Sequence, residues 1–222
     1  MKDYVIIVAA GIGKRMQTAL PKQFLEINGK PLLIHTLEKF HRYDPLMEIV
    51  VVLHNEYIRF WEDLSRAHEL SIPHRVIAGG DERFFSVKNA IDSIDEETGI
   101  VGIHDAVRPL VSLKTLETCY NTAREKSNAV PVVAVNETLR QVTGESSITI
   151  DRNRFRIVQT PQCFELSLLR KAFRQDYLSS FTDDASVVEA LGEKINLVEG
   201  NRENIKITTT EDLRMAEALM VV

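Results

Sequence analysis

Apolar residues follow two alternating patterns along the chain. Residues 4–8 form a continuous apolar run, which is typical of a strand buried on both faces of a parallel sheet. Further on, Leu33, Leu37 and Phe40 recur at i, i+4 and i+7, which places them on one face of a helix. Repeated strand–helix units of this kind predict an α/β fold with a doubly wound, mostly parallel sheet covered by helices on both faces.

The same patterns predict the other elements. The Asn28-Gly29 pair is a turn signal, and Pro31 suits the first position of the helix that follows. Further strands are predicted at residues 48–53, 75–78, 100–103, 128–135 and 194–198, and further helices through Trp61 and Leu64, at 86–94, from Leu116 to Ala123, and at 166–177, 183–191 and 211–220.

Residues 138–158 interrupt this alternation. Their polar and apolar residues alternate at strand spacing, residues 144–147 form a turn signal, and no helical stripe is present. The segment is therefore predicted to be a β-hairpin arm that stands off the main sheet. Residues 1–222 are interpreted as a single domain that carries this arm.

Composition limits the class of protein. The chain has 222 residues, is 44% hydrophobic and carries a formal net charge of −5, which permits one sizeable core and disfavours nucleic acid as a partner. The two cysteines, Cys119 and Cys163, and the six histidines form no metal-ligand spacing. No signal peptide and no membrane-spanning run is recognised, so the expectation is a reduced, cytoplasmic protein without a membrane partner.

Candidate binding residues follow from the sheet. In a doubly wound sheet the ligand lies beyond the carboxyl ends of the strands. This rule selects residues 9–16, 79–86, 104–109 and the region after Val135, where glycine and polar residues concentrate.

The first of these segments indicates a phosphate loop. Gly11 and Gly13 allow backbone N–H groups to approach phosphate oxygens, and Arg15 and Lys22 add positive charge. A dinucleotide fingerprint needs a third glycine where Met16 stands, and the Gly-Lys-Ser/Thr of a Walker loop is absent. The alternative is a tight strand–helix turn with solvated basic side chains.

The chain resembles the 2-C-methyl-D-erythritol 4-phosphate cytidylyltransferases, which have a nucleotide-diphospho-sugar transferase-like fold. The resemblance begins with Gly11-x-Gly13-x-Arg15-Met16 followed by Pro21-Lys22-Gln23. It continues in order through Gly80-Asp81-Glu82-Arg83-x-x-Ser86-Val87, His104-Asp105-Ala106-x-Arg108-Pro109, Asp151-Arg152-Asn153, Thr160-Pro161-Gln162, Thr182-Asp183, Glu199-Gly200 and Asn204-Ile205-Lys206-x-Thr208.

The resemblance implies a reaction. CMP would pass from CTP to 2-C-methyl-D-erythritol 4-phosphate, giving 4-diphosphocytidyl-2-C-methyl-D-erythritol and pyrophosphate for isoprenoid precursors by the non-mevalonate route. A phosphate nucleophile needs no strong general base, so the site must align two anions and stabilise the developing charge. Mg²⁺ is expected as cofactor, held mainly by the CTP phosphates rather than by protein ligands. The active unit is expected to be a homodimer.

The resemblance also implies residue roles. Arg15 and Lys22 would stabilise the transition state, and Arg152 and Lys206 would hold the acceptor phosphate for attack. Thr138, lent by the arm of a partner subunit, would complete the acceptor site. The nucleotide-binding set is Ala9, Ala10, Gly11, Gly13, Gly80, Asp81, Ser86 and Asp105, and the acceptor-binding set is Asp105, Arg108, Thr138, Arg152, Thr160 and Lys206.

Several of these residues and their neighbours have structural roles as the alternative interpretation. Asp81 could cap a helix, Asp105 and Arg108 could form a buried ion pair, and His104 is interpreted as structural. Asp183 and Asp184 are interpreted as helix-capping and supporting residues, and Cys163 as core filling. Where the family carries an aspartate before the arm threonine, this chain has Glu137.

Three other functions compete with this interpretation. A related cytidylyltransferase could use another acceptor, such as ribitol 5-phosphate, but residues 151–153 and 204–206 look more like the methylerythritol enzymes. A nucleotide-binding regulator without catalysis would be expected to lack charges such as Arg15 and Lys22. An NAD-binding dehydrogenase is disfavoured by Met16.

Overall fold

A mixed, mostly parallel sheet with helices on both faces forms the body of the protein. The computed structural model describes residues 1–11 and 20–220. Its strands are β1 (Asp3–Ala9), β2 (Glu26–Ile27), β3 (Lys30–Pro31), β4 (Glu48–Leu53), β5 (Arg75–Ala78), β6 (Ile100–Asp105), β7 (Asn128–Ala134), β8 (Leu139–Thr143), β9 (Ser146–Ile150), β10 (Arg156–Val158), β11 (Gln162–Glu165) and β12 (Leu197–Glu199). Its helices are α1 (Leu32–Tyr43), α2 (Ile58–Ala67), α3 (Arg83–Asp92), α4 (Leu113–Lys126), α5 (Leu166–Ala172), α6 (Asp184–Glu189) and α7 (Thr210–Met220).

The predicted doubly wound sheet is confirmed. β1 lies between β4 and β6 and is parallel to both, and β5 extends the same sheet beyond β4. Buried residues of β1 alternate between two cores: Val5 and Ile7 pack with α1, α2 and α4, whereas Tyr4 and Ile6 pack with α3, α5 and α6. A sheet with apolar residues on both faces requires this double covering.

The middle of the sheet contains an antiparallel strand that the sequence pattern did not predict. β11 lies between β6 and β7 and is antiparallel to both, with Cys163 opposite Gly102 and Ala129. A four-residue strand is too short to show a period, and its apolar residues merge with those of the helix that follows. β12 pairs in parallel with β7 on the same sheet and begins at Leu197, three residues later than predicted.

The predicted arm exists but is shorter than predicted. β8 and β9 pair with each other around Gly144 and Glu145 and form a separate two-stranded sheet. The expected boundary at residue 158 is wrong, because β10 (Arg156–Val158) returns to the main sheet and pairs with β7. Alternating apolar and polar residues predict a strand but not the strand with which it pairs, so the pattern could not show where the arm ends.

The predicted helices are present, but their first or last residues differ from the prediction. Pro31 lies just before α1 instead of being its first residue, and α5 ends at Ala172 rather than near residue 177.

No helix in the described part of the chain has both the length and the apolar character needed to cross a membrane.

Candidate active site

A cleft of about 610 Å³ opens at the carboxyl ends of β1, β4, β5 and β6. The parallel register brings these ends together, since Ala9 lies opposite Leu53 and Val8 lies opposite Asp105. Nine of the predicted site residues line the cleft: Ala9, Ala10, Gly11, Lys22, Gly80, Asp81, Ser86, Asp105 and Lys206. Gly13 and Arg15, to which the sequence assigned nucleotide binding and catalysis, lie outside the described residues.

The glycine turn after β5 forms one wall of the cleft. A β-carbon on Gly79 would lie 2.7 Å from Ala10 Cβ and 2.8 Å from Ser86 Oγ, so only glycine fits this approach of two loops. The buried Ser86 hydroxyl accepts a hydrogen bond from the Gly80 N–H at 3.1 Å. The alternative role of Asp81 as a helix cap is wrong, because the N-cap of α3 is Glu82.

Lys22 reaches the cleft from a single 3-10 turn, Lys22–Phe24, that follows Pro21. The next residue, Gln23, is buried and donates from Nε2 to the Ala9 carbonyl at 2.6 Å. Phe24 is buried in the core shared by α1 and α2. These two anchors tie the lysine-bearing turn to the end of β1.

Asp105 is the centre of charge in the cleft. Its Oδ2 atom pairs with Lys206 Nζ at 3.1 Å and with Arg108 Nε at 3.1 Å. Burial alone would raise the pKa of the Asp105 carboxyl, but Lys206, Arg83 and Arg108 together hold that pKa well below its ordinary value. The carboxylate is therefore ionised at neutral pH.

Arg108 forms the ion pair with Asp105 that was the structural alternative to its predicted acceptor-binding role. Besides Asp105, it donates from Nη1 to the Asn204 carbonyl at 2.7 Å, and it does not line the cleft. Its charge acts on the site through Asp105 in this arrangement.

His104 and Thr160 form a buried network below the cleft. His104 Nε2 donates to the Arg108 carbonyl at 3.0 Å, because a carbonyl only accepts. The ring's other nitrogen, Nδ1, therefore accepts from the Thr160 hydroxyl at 3.0 Å, and that hydroxyl accepts the Asp105 N–H at 3.1 Å. Thr160, predicted to line the acceptor pocket, is a buried residue that orients the backbone of Asp105.

Two predicted acceptor residues lie away from the cleft of their own chain. Thr138 is exposed just before β8. Arg152 is exposed in the 3-10 turn after β9 and donates to the Asn136 carbonyl at the base of the arm. Neither lines the cleft.

Other residues that were assigned no role from the sequence also line the cleft, among them Arg83, His54 and Asn55. Arg83 begins α3, and His54 and Asn55 follow β4. Arg83 stands within a quoted motif, so its position was visible. His54 and Asn55 could have been found by applying the strand-end rule to β4 as well as to its neighbours.

The described residues contain no ready-made cluster of metal ligands. In the ranges 1–11 and 20–220, no three His, Cys, Asp or Glu side chains are grouped as a metal site. Asp105 is the acidic residue that the sheet brings to the centre of the cleft.

Comparison with known proteins shows one family. Residues 4–221 match the sequence model of IspD, 2-C-methyl-D-erythritol 4-phosphate cytidylyltransferase. The enzyme of that name from Bacteroides thetaiotaomicron is 50% identical over 220 residues, covering 99% of this chain and 100% of the relative. The one from Phocaeicola vulgatus is 47% identical, again over 99% of this chain and 100% of the relative. The crystal structure of the Thermus thermophilus enzyme superposes with a TM-score of 0.82 at 34% identity, covering 100% of both chains.

The buried histidine generates a prediction about pH. Burial lowers the pKa of His104 to about 4, whereas an unfolded histidine titrates near pH 6.5. The unfolded state thus binds more protons between these values, so folding stability falls as pH drops from about 6.5 to about 4. Because the amide of His104→Gln does not titrate, its loss of unfolding free energy between pH 7 and 5 should be about 2 kcal/mol smaller than that of the wild type.

Urea unfolding at both pH values measures this difference. Nitrogen NMR of the imidazole should also show the Nε2–H tautomer persisting well below pH 6. An imidazole that titrates near 6.5 in the folded protein would contradict the assignment.

Proposed function

The chain belongs to the 2-C-methyl-D-erythritol 4-phosphate cytidylyltransferase family and transfers a cytidylyl group from CTP to that acceptor in isoprenoid biosynthesis, and we propose that it does so in the cleft between Lys22, Gly80 and Asp105. The single observation that carries this proposal is that Lys22, Arg83 and Lys206 border one cleft beside an ionised carboxylate and a glycine turn. The reaction joins two anions, so a site for it needs positive charge that is already in position.

The nucleotide is proposed to lie along the Gly11 and Gly80 side of the cleft. The turn at Gly79 and Gly80 lets the backbone approach a base closely, and the Ser86 hydroxyl holds the Gly80 N–H in place. Lys22 then lies where it can neutralise the charge that builds on the α-phosphoryl oxygens. A donor fixed in this way stabilises the transition state without reorganising during the reaction.

The acceptor phosphate is proposed to lie beside Lys206. Its Nζ atom is 3.1 Å from Asp105, and its side chain is 40% exposed, so the ammonium group is held in direction but accessible. The attacking phosphate oxygen forms the new bond to the α-phosphorus as the bond to pyrophosphate breaks. No proton needs to be removed from an ionised phosphate, so neutral His104 stays outside the reaction.

Mg²⁺ is part of the same proposal. The ion pairs of Asp105 with Lys206 and Arg108 are both made at Oδ2, and its Oδ1 atom accepts no hydrogen bond from the described residues. One available carboxylate oxygen fits an ion that keeps several waters and takes few protein ligands. When bound with the triphosphate, the ion supplies charge that offsets the phosphates. Asp105 is the residue proposed to hold a metal-bound water or a ribose hydroxyl.

The test of the proposed function is pyrophosphate release by the purified protein with Mg²⁺. Release should require both CTP and 2-C-methyl-D-erythritol 4-phosphate. UTP should reduce kcat/KM by about tenfold or more, because a turn fixed to accept cytosine's amino group leaves its acceptors facing a carbonyl, at a cost of about 1–3 kcal/mol. Higher activity with ribitol 5-phosphate would contradict the acceptor, and equal use of UTP would contradict the role of the turn.

The role of Lys22 is tested by substitution. Lys22→Ala should lower kcat by roughly 10²–10³, the usual loss for one donor directed at transition-state charge. Lys22 lies in a short turn and is only partly buried, so circular dichroism and the thermal midpoint should stay close to wild type. Lys171→Ala, at an exposed position of α5 that does not line the cleft, is the matched control and should keep wild-type kcat.

We further propose that the active unit is a homodimer located in the cytoplasm, where CTP is available. Support for the dimer comes from the arm. β8 and β9 pair only with each other among the described residues, and Val142 and Ile148 are 71% and 63% exposed. A lone two-stranded hairpin is marginal in water, and two-fold pairing is the commonest oligomer symmetry. In this dimer Thr138 and Arg152, which lie outside their own cleft, contribute to the partner's acceptor site.

Mixing two inactive variants tests the shared site. Thr138→Arg should block the acceptor site of the partner, and Lys22→Ala should disable its own site. After subunit exchange, each mixed dimer holds one site with both defects and one with neither. Half of the dimers are mixed and half of their sites are intact, so activity should approach about one quarter of wild type per total site. Verified exchange without recovery would place Thr138 in the same site as its own Lys22.

A further inference from the structure

Arg83 joins the cleft to a buried carboxylate on the other side of the glycine turn. It is the first residue of α3, and its Nη1 atom forms an ion pair with Oδ1 of Asp184, the first residue of α6. The Asp184 side chain is 1% exposed and that of Arg83 is 32% exposed. The pair also borders a second, small cavity of about 40 Å³ lined by aromatic side chains, among them Phe84 and Phe173.

Stability alone does not account for this pair. Burying two opposite charges gains little, because their desolvation offsets their attraction. Asp184 Oδ2 is buried and has no hydrogen-bond partner in the described residues. Burial raises the pKa of the Asp184 carboxyl, and Arg83 is the main charge that opposes this rise. Costly buried groups beside a cleft are characteristic of functional sites.

The pair is a long-range side-chain link between the start of α3, next to the glycine turn, and the start of α6. The turn and the start of α3 act as one unit, because the Ser86 N–H bonds the Glu82 carbonyl at 3.0 Å and its hydroxyl bonds the Gly80 N–H. On the opposite side, α6 is anchored to β11 by Gln162. Its Oε1 atom accepts the Ala185 N–H and its Nε2 atom donates to Asp183, each at 2.8 Å.

We propose that Arg83 and Asp184 are positioning residues for the nucleotide: their ion pair holds the glycine turn at the distance from Ala10 and Asp105 at which the nucleotide fits. Arg83 acts through the turn and through Asp105, whose negative charge it also stabilises. The inference rests on the proposed function, because it assigns these residues to CTP binding rather than to acceptor binding.

Steady-state kinetics of Arg83→Gln, Arg83→Lys and Asp184→Asn test the proposal. Removing the charge in Arg83→Gln should raise the KM for CTP about tenfold or more and leave the KM for the acceptor within about threefold of wild type. Arg83→Lys keeps the charge without the planar guanidinium and should recover part of the loss. Arg83→Gln combined with Asp184→Asn should be no worse than the poorer single variant, because the two residues act as a unit.

A stability measurement separates positioning from folding. Breaking a buried ion pair destabilises a fold, so each variant is assayed at a temperature where circular dichroism shows it to be folded. Arg75→Gln is the matched control: Arg75 begins β5, at the end of that strand away from the glycine turn, and pairs with Glu48 at 2.6 Å. It should leave both KM values unchanged.

The outcomes separate a failure of the positioning role of Arg83 and Asp184 from a failure of the proposed function. Folded Arg83→Gln with wild-type KM for CTP would overturn the inference, as would equal losses for CTP and acceptor, or additive losses in the double variant. A wild-type protein that releases no pyrophosphate from CTP would instead contradict the proposed function. Equilibrium binding of CTP alone to Arg83→Gln should show the same weakening as the KM and needs no turnover.

Discussion

The parallel pairing of β1 with both β4 and β6 is the constraint on which the site depends. Its register places Val8 opposite Asp105 and Ala9 opposite Leu53, so the loops after these strands leave the sheet at one edge. The Gly79 N–H bonds the Leu53 carbonyl at 2.8 Å, which extends the same alignment to the turn after β5. A shift of one residue would exchange the two faces of β1 and bury its residues in the wrong cores, so core packing and site geometry are determined together.

Charge in the cleft is arranged around one buried carboxylate. Asp105 draws Lys206 and Arg108 to the same oxygen atom, and its backbone N–H is held by Thr160, whose hydroxyl also bonds His104. Such groups contribute little to stability, because removing charges from water offsets much of their attraction. In the proposed function, they fix the direction of positive charge before two anionic substrates arrive, as a transfer between phosphates requires.

The hairpin arm formed by β8 and β9 exposes apolar side chains to solvent. Its strands are well paired, and Arg140 reaches across from β8 to the Ser147 hydroxyl at 2.9 Å, but two of its apolar side chains, Val142 and Ile148, face solvent. β10 then returns the chain to β7, so the arm is attached to the sheet on both sides. Thr138 and Arg152 lie at this base, one on each side of the hairpin. In the proposed homodimer, a second copy of the chain would bury this apolar surface.

The sequence by itself determined the fold class, the order of the parallel strands along the chain and the family. Buried parallel strands read as apolar runs, and the motifs at Gly80 and Asp105 stand at the ends of β5 and β6, where a sheet of this kind binds its ligand. Tertiary structure decided what depends on distant partners. The antiparallel place of β11, the return of β10 and the burial of Thr160 beneath Asp105 follow from contacts between segments far apart in the chain. The ion pair between Arg83 and Asp184 spans 101 residues, so no local pattern of spacing or charge could have revealed it.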